Sequence, residues 1–295
     1  MYEQISENNR NTVLLVAFFS VFVLALAWIL GEVWFAGGGT LGIIVGFLFL
    51  LVFVGINYFF ADKIVLSISG AREVKKGEYP YLFNIIEGLA IAAGIPKPKA
   101  YVIEDTALNA FATGRNPEHG IVVVTTGILK TLDRQELEGV IAHEMSHIKN
   151  YDIRLMTLVV VFVGLSALLS DILLRSVLWG KHDRREGKIG LVILAGGVIL
   201  AILTPFIAML IKFAISRQRE YLADASGALL SRNPEGLASA LEKISGDKEV
   251  LEAANKATAH LYIDNPLKNR KGAWFDSMFS THPPIKERVA RLRGM

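Results

Sequence analysis

His143-Glu144-Met145-Ser146-His147 is the stretch that decides how this chain is read. Two histidines four residues apart share one face of a helix, about a turn from each other. That spacing lets both imidazoles reach one metal ion, and zinc takes imidazole nitrogen readily. Glu144, between them, is placed to act as general base on a metal-activated water. The plain alternative is a helix whose two histidines merely cap or pack. Context argues against it. Asp133 and Glu136 form an Asp-x-x-Glu capping pattern. Leu137, Val140, Ile141, Met145 and Ile148 then recur at three- and four-residue steps as a buried stripe bordered by the histidines.

Composition narrows the chemistry. Of 295 residues, 52% are hydrophobic and 20% charged, below the usual quarter for soluble domains. The apolar content is gathered in long uninterrupted runs, the mark of a membrane protein. With no cysteine, disulfides and thiolate metal sites are excluded, and any metal must be held by histidine and carboxylate. A net charge of +3 is too small and dispersed for a nucleic-acid partner; it fits contact with an anionic membrane surface.

Toward the N-terminus, Val13–Leu30 is 18 residues of almost purely apolar side chain, enough to span a bilayer. A cleaved signal peptide would have a shorter apolar core and a more basic start, so a retained anchor is expected. After Glu32 and the Gly37-Gly38-Gly39 cluster, Leu41–Phe60 forms a second span. Gly42 and Gly46 make a GxxxG pair, read as packing against a helix of the same chain in preference to dimerisation. Lys63, Arg72, Lys75 and Lys76 follow closely, which puts residues 62 onward in the cytoplasm. Tyr81–Ala93 reads as an amphipathic helix stopped by Gly94-Ile95-Pro96. Lys99–Ile103, Ala110–Thr113 and Gly120–Thr125 read as short strands of a small mixed sheet.

Toward the C-terminus, no glycine or proline stops the His147 helix, so it is expected to run on through Leu155–Ser170 as a third span. Asp171 and Arg175 read as an interfacial ion pair. A charged loop, Lys181–Lys188, precedes Ile189–Ile211, 23 uncharged residues forming the fourth span. Arg175, Lys181, Arg184, Arg185 and Lys188 oppose placing that loop outside the cytoplasm, and a hairpin that does not fully cross would reconcile them. Helices are expected over Ser216–Leu230 and near Pro234–Ile244, Val250–Ala257 and Pro284–Leu292.

Two histidines leave zinc short of protein ligands. Arg217-Gln218-Arg219-Glu220-Tyr221-Leu222-Ala223-Asp224 puts two carboxylates on one helix face. Glu220 can bind the metal while Asp224 orients a ligand histidine; on spacing alone, pairing with Arg217 and Arg219 is an equal reading. Topology favours the first. A two-span hairpin returns the chain to the side it left, so His147 and Glu220 would each stand about 10 Å from the hydrocarbon edge at the same membrane face.

The ordered set of HEMSH, a membrane hairpin, EYLAD and Thr281-His282-Pro283-Pro284 resembles the HtpX family of membrane-bound zinc metalloproteases, gluzincins related to the CAAX prenyl endopeptidases. The resemblance covers nearly the whole chain, including Asn109-Ala110-Phe111-Ala112-Thr113-Gly114. It implies one Zn2+ per chain on His143, His147 and Glu220, Glu144 as catalytic base, and Asp224 behind a histidine. It further implies Asn109 on the edge strand along which a substrate backbone adds, and His282 as a donor near the oxyanion, with a turn-forming role as the alternative. Lys268–Lys271 with Trp274 and Phe275 could touch lipid headgroups or substrate, or form a solvated loop.

The expectation is therefore a mostly α membrane protein with four transmembrane helices and a cytoplasmic α+β gluzincin-type metalloprotease domain containing a small sheet. Residues 1–61 hold two spans, 62–154 the first half of the protease domain, 155–214 a membrane hairpin, and 215–295 the second half. It would be multi-pass in the plasma membrane, its partners the bilayer and unfolded membrane-protein substrates, its role quality control under stress. An intramembrane protease of the site-2 type is a rival, but Asp133, Arg134, Gln135, Glu136 and Glu138 make the HExxH helix too polar for it. A non-proteolytic membrane scaffold is the other rival; for it Glu144→Gln would change nothing.

Overall fold

A computed structural model of the protein describes residues 2–34, 37–75, 77–179, 217–254, 258–264, 266 and 283–295. The leading apolar runs form helices α1 (Tyr2–Trp34) and α2 (Gly39–Ile68), both long and apolar enough to cross a bilayer. They pack on each other closely. A Cβ on Gly42 would stand 2.2 Å from the Ala27 carbonyl oxygen, so only glycine admits this approach. The Gly42/Gly46 pair thus serves packing within the chain. Ile44, Leu48, Leu51, Val52 and Phe59 of α2 are more than half exposed, an apolar surface suited to lipid tails and costly in water.

A third helix, α6 (Asp152–Trp179), lies against both. Leu15, Phe19, Leu50, Val159 and Phe162 form one buried cluster, with the rings of Phe19 and Phe162 stacked at a centroid distance of 4.0 Å. The expected fourth span, 189–211, and the loop 181–188 with His182 lie outside the described residues.

Between α2 and α6 the chain builds a small mixed sheet from β1 (Arg72–Glu73), β2 (Lys99–Ile103), β3 (Ala110–Thr113) and β4 (Ile121–Thr125), in the order β1-β2-β4-β3. β2 and β4 run parallel, while β1 with β2 and β3 with β4 are antiparallel. All five residues of β4 are buried, as expected of a strand covered on both faces. One face packs on α3 (Pro80–Ala93), α5 (Arg134–Lys149) and α8 (Pro234–Gly246) through Leu82, Ile86, Val124, Leu137, Ile141 and Leu237. The other face, through Phe111 and Val123, meets Val65 of α2, Met156 of α6 and Tyr262. The sheet therefore rests directly on α2 and α6. Short α4 (Thr126–Thr131), then α7 (Arg217–Ser231) and α9 (Ile285–Arg293), complete the described helices.

Two expectations are corrected. The HExxH helix does not run on into the third span: α5 ends at Lys149, Asn150 caps it, and Tyr151 takes a positive φ of 63° before α6 starts. Asn150, a residue type that commonly ends helices, is the local turn residue at this break. A distant one supports it, since the Asn8 amide donates to the Asn150 carbonyl at 2.9 Å, satisfying a group freed at the helix end. The helix expected over Val250–Ala257 is absent from its described part, which forms a turn anchored by buried Leu251 and Ala254.

Candidate metal centre

Helix α5 begins where its capping box says it should. Asp133 accepts from the backbone N–H of Gln135 and Glu136, and Glu136 accepts from the N–H of Asp133. Leu137, Val140, Ile141, Met145 and Ile148 are fully buried, which fixes the helix rotation. His143, Glu144 and His147 are buried with them.

Helix α7 lies along α5 at very short range. A Cβ on Gly227 would stand 2.9 Å from the backbone nitrogen of His143; glycine there lets the two backbones meet. The contact carries Glu220 to the histidines. Its Oε1 is 3.6 Å from His147 Nε2 and its Oε2 3.9 Å from His143 Nε2, while the two Nε2 atoms are 3.3 Å apart. The donor atoms of these three residues all lie within 4.8 Å of one another. Ligand atoms bound tetrahedrally to zinc at about 2.0–2.1 Å stand roughly 3.3 Å apart.

The chemistry of the donors fits a cation as well as the spacing does. His147 Nδ1 is 2.9 Å from Asp152 Oδ2, and His143 Nδ1 is 3.0 Å from Asp224 Oδ1. A carboxylate behind each ring favours a proton on Nδ1 and turns both Nε2 atoms toward each other and toward Glu220, the geometry that binds metal once Nε2 is free of its proton. These three groups, converging on one buried point, are a candidate site for a divalent cation. Among the described residues no other cluster of His, Asp and Glu does this. His119 bonds Asn116 at the surface, and His260 meets the Met156 carbonyl.

Glu144 lies beside this point, with the Ala112 backbone of β3 next to it. Burial pushes its carboxyl up to about 7, with nearby Glu220 adding to the rise and His147 and Arg288 opposing it. A base that titrates near neutrality is suited to taking up and returning a proton.

β3 is an edge strand, as expected, and Asn109 stands at its head. The Asn109 amide donates to the Asp264 carbonyl at 3.1 Å, and the Ile263 N–H donates to the Ala110 carbonyl at 3.0 Å. Residues of the chain itself thus occupy that end of the edge. His282, Lys268–Lys271, Trp274 and Phe275 lie outside the described residues.

Two residues of the site went unread in the sequence. Asp152 was taken for part of a continuous helix. Arg288 lies within the helix expected near Pro284–Leu292 and was not singled out there, although it falls on the same stripe as Ile285, Val289 and Leu292. It is fully buried. Its guanidinium grips both oxygens of Asp224 at 2.7 and 2.8 Å, donates to the Ile263 carbonyl at 3.1 Å and stands 3.7 Å from Glu220 Oε2. A charge on an apolar stripe was the available signal.

The sequence profile of peptidase family M48 matches residues 77–295. The chain belongs to this family. The M48 member described here is 50% identical over 299 aligned positions to the protease HtpX homolog of Dictyoglomus thermophilum, covering 100% of this chain and 94% of that one. It is 46% identical to the protease HtpX homolog of Caldanaerobacter subterraneus subsp. tengcongensis, over 100% of this chain and 98% of the relative. The protease HtpX homolog of Listeria monocytogenes serotype 4a is 43% identical over the full length of both chains. Among solved structures, S. mikatae Ste24p aligns with a TM-score of 0.48 at 19% identity, over 98% of this chain and 66% of that one. The family resemblance seen in the ordered motifs is borne out, and the chain is a membrane metalloprotease.

Proposed function

We propose that this M48 member is a zinc endopeptidase hydrolysing peptide bonds of misfolded or damaged membrane proteins at the cytoplasmic surface of the plasma membrane. The observation that carries the reading is the convergence of His143, His147 and Glu220 donor atoms within 4.8 Å. These three residues hold the metal, with Asp224 orienting His143. When bound, zinc acts as a Lewis acid that lowers the pKa of water and polarises a carbonyl. The attacking water gives its proton to Glu144, which delivers it to the leaving amine. A substrate backbone adds along β3 from Asn109; pairing at Ala110 requires the Ile263 N–H to let go of that carbonyl. His282 supplies a donor near the oxyanion.

The placement of the sheet against α2 and α6 supports a site that receives chains emerging from the bilayer. Four spans arranged as two leading helices and a hairpin between the protease halves 62–154 and 215–295 would put both halves on the cytoplasmic side. The test is metal content of purified protein alongside cleavage of an unfolded membrane protein, with and without chelator. Glu144→Gln should keep zinc and lose proteolysis by about a thousandfold or more; Glu220→Ala should lose both. Equal peptidase activity in purified Glu144→Gln would end the proposal.

A further inference from the structure

Asn8 is a polar residue ahead of the apolar run of α1, yet it is only 3% exposed. Its amide nitrogen donates to Asp152 Oδ1 at 2.6 Å and to the Asn150 carbonyl at 2.9 Å, and its carbonyl oxygen accepts from Arg219 Nη1 at 3.4 Å. Every polar atom of the side chain is thus turned toward the two segments that carry the site. Asp152 spends its other oxygen on His147 Nδ1, and Arg219 immediately precedes Glu220. We propose that Asn8 is a positioning residue for the metal centre: its amide fixes the Asp152 carboxylate, and through it the His147 ring, in the orientation that binds metal. This rests on the zinc reading above.

The physical argument turns on the carboxylate. Asp152 follows a break in the helix and is held by no continuous turn on its N-terminal side. A carboxylate bonded at one oxygen alone can swing about its side-chain torsions. Bonding at both oxygens fixes its plane, and the ring that it orients then loses less freedom on binding metal. An amide serves here without adding a further charge to the buried site, where unpaired charge is costly, and Arg219 Nη1, 4.0 Å from the same oxygen, is too distant for a hydrogen bond. Asn8 also lies outside residues 77–295, the segment matched by the protease family. The first membrane helix is therefore part of the metal centre as well as an anchor.

The bland alternative is that Asn8 only latches α1 to the helix break. Its neighbour makes the control: the Asn9 side chain accepts from Arg154 at 3.1 Å and touches neither Asp152 nor a ligand. The experiment uses the full chain in detergent and reads zinc affinity by chelator competition, with the visible spectrum of cobalt-loaded protein as a second readout. Asn8→Ala should weaken zinc binding by about tenfold and alter the cobalt bands, as changes behind a ligand histidine typically do. Asn9→Ala should leave both within a factor of about two. Asp152→Ala should weaken binding at least as much as Asn8→Ala, and adding Asn8→Ala to it should cost nothing further, because the coupling has already gone. Asn8→Asp keeps volume and acceptor while removing both donors, and should weaken binding as well.

Wild-type zinc affinity in Asn8→Ala or Asn8→Asp, an equal loss in Asn9→Ala, or full additivity with Asp152→Ala would each overturn the proposal. Failure of the zinc reading looks different: Glu220→Ala would then bind zinc as tightly as wild type.

Discussion

The two histidines of the centre are held by carboxylates of opposite temper. Behind His143 stands Asp224, whose charge is claimed by the fully buried Arg288 through two short bonds. Burial alone would raise the Asp224 carboxyl, yet Arg288 and His143 hold it down at about 2. Burial lowers the His143 pKa; Asp224 opposes this and Arg288 adds to it. Behind His147 stands Asp152, whose Oδ1 accepts from the neutral amide of Asn8 at 2.6 Å, with Arg219 Nη1 farther off at 4.0 Å. The Asp152 charge stays available to the ring. Burial would lower His147, but Asp152, Glu220 and Glu144 raise it to about 9. One ring is thus prepared neutral, and the other must shed a proton to become a ligand. Where the compensating cation comes from decides which.

That asymmetry can be broken most severely at Arg288. Arg288→Met would leave Asp224 buried without its cation, a loss of about 3–5 kcal/mol. Thermal melting should show it, and Arg288→Met combined with Asp224→Asn should recover part of it. A smaller change suffices if Asp224 keeps its charge by other means.

The asymmetry can be sharpened by titration. In apo protein His147 holds its proton up to about 9. Metal uptake must displace that proton, so apparent affinity should rise close to tenfold per pH unit until about 9. In Asp152→Asn the rise should level off at lower pH, since the main partner sustaining the proton is gone. Proton release measured on zinc binding checks this, and a flat affinity between neutrality and pH 9 would refute it. For apo stability the sign is reversed: the raised His147 contribution is complete below its ordinary pKa and fades as pH climbs toward 9.

Asp224 should act at the acid end. Its pKa is depressed from 3.8 to about 2, so its contribution is complete above pH 4 or so and is lost as pH falls toward 2, a change of about 2 kcal/mol. Acid unfolding monitored by circular dichroism should lose this dependence in Asp224→Asn. The smallest expected effect is at Gly227, where an added Cβ would meet the His143 nitrogen at 2.9 Å. Gly227→Ala should cost about 1–2 kcal/mol by overpacking and weaken metal binding by prising α7 from α5.

Much of this was legible beforehand because it is written in periodicity. The capping box of Asp133 and Glu136, the stripe from Leu137 to Ile148 and the apolar lengths of α1 and α2 all follow from local pattern, whereas the edge position of β3 was implied only by the family resemblance. Glu220 was legible for a different reason, since the expected two-span hairpin would return the chain to the face it left. Asp152, Arg288 and Asn8 escaped because each looked ordinary in its own segment. An aspartate in an uninterrupted helical pattern, an arginine among three on a basic helix and an asparagine before a membrane run carry no local mark of a distant partner.

The amino-acid sequence by itself determined that α1 and α2 are long and apolar enough to cross lipid, which helix bears the two imidazoles, and which faces turn inward, since these depend on the spacing of apolar residues within single helices and strands. The tertiary structure alone decided where α5 breaks, which carboxylate stands behind which ring, and that α1 reaches into the centre. Those depend on polar groups far apart in the chain finding each other once water is excluded, where every buried donor and acceptor needs a partner.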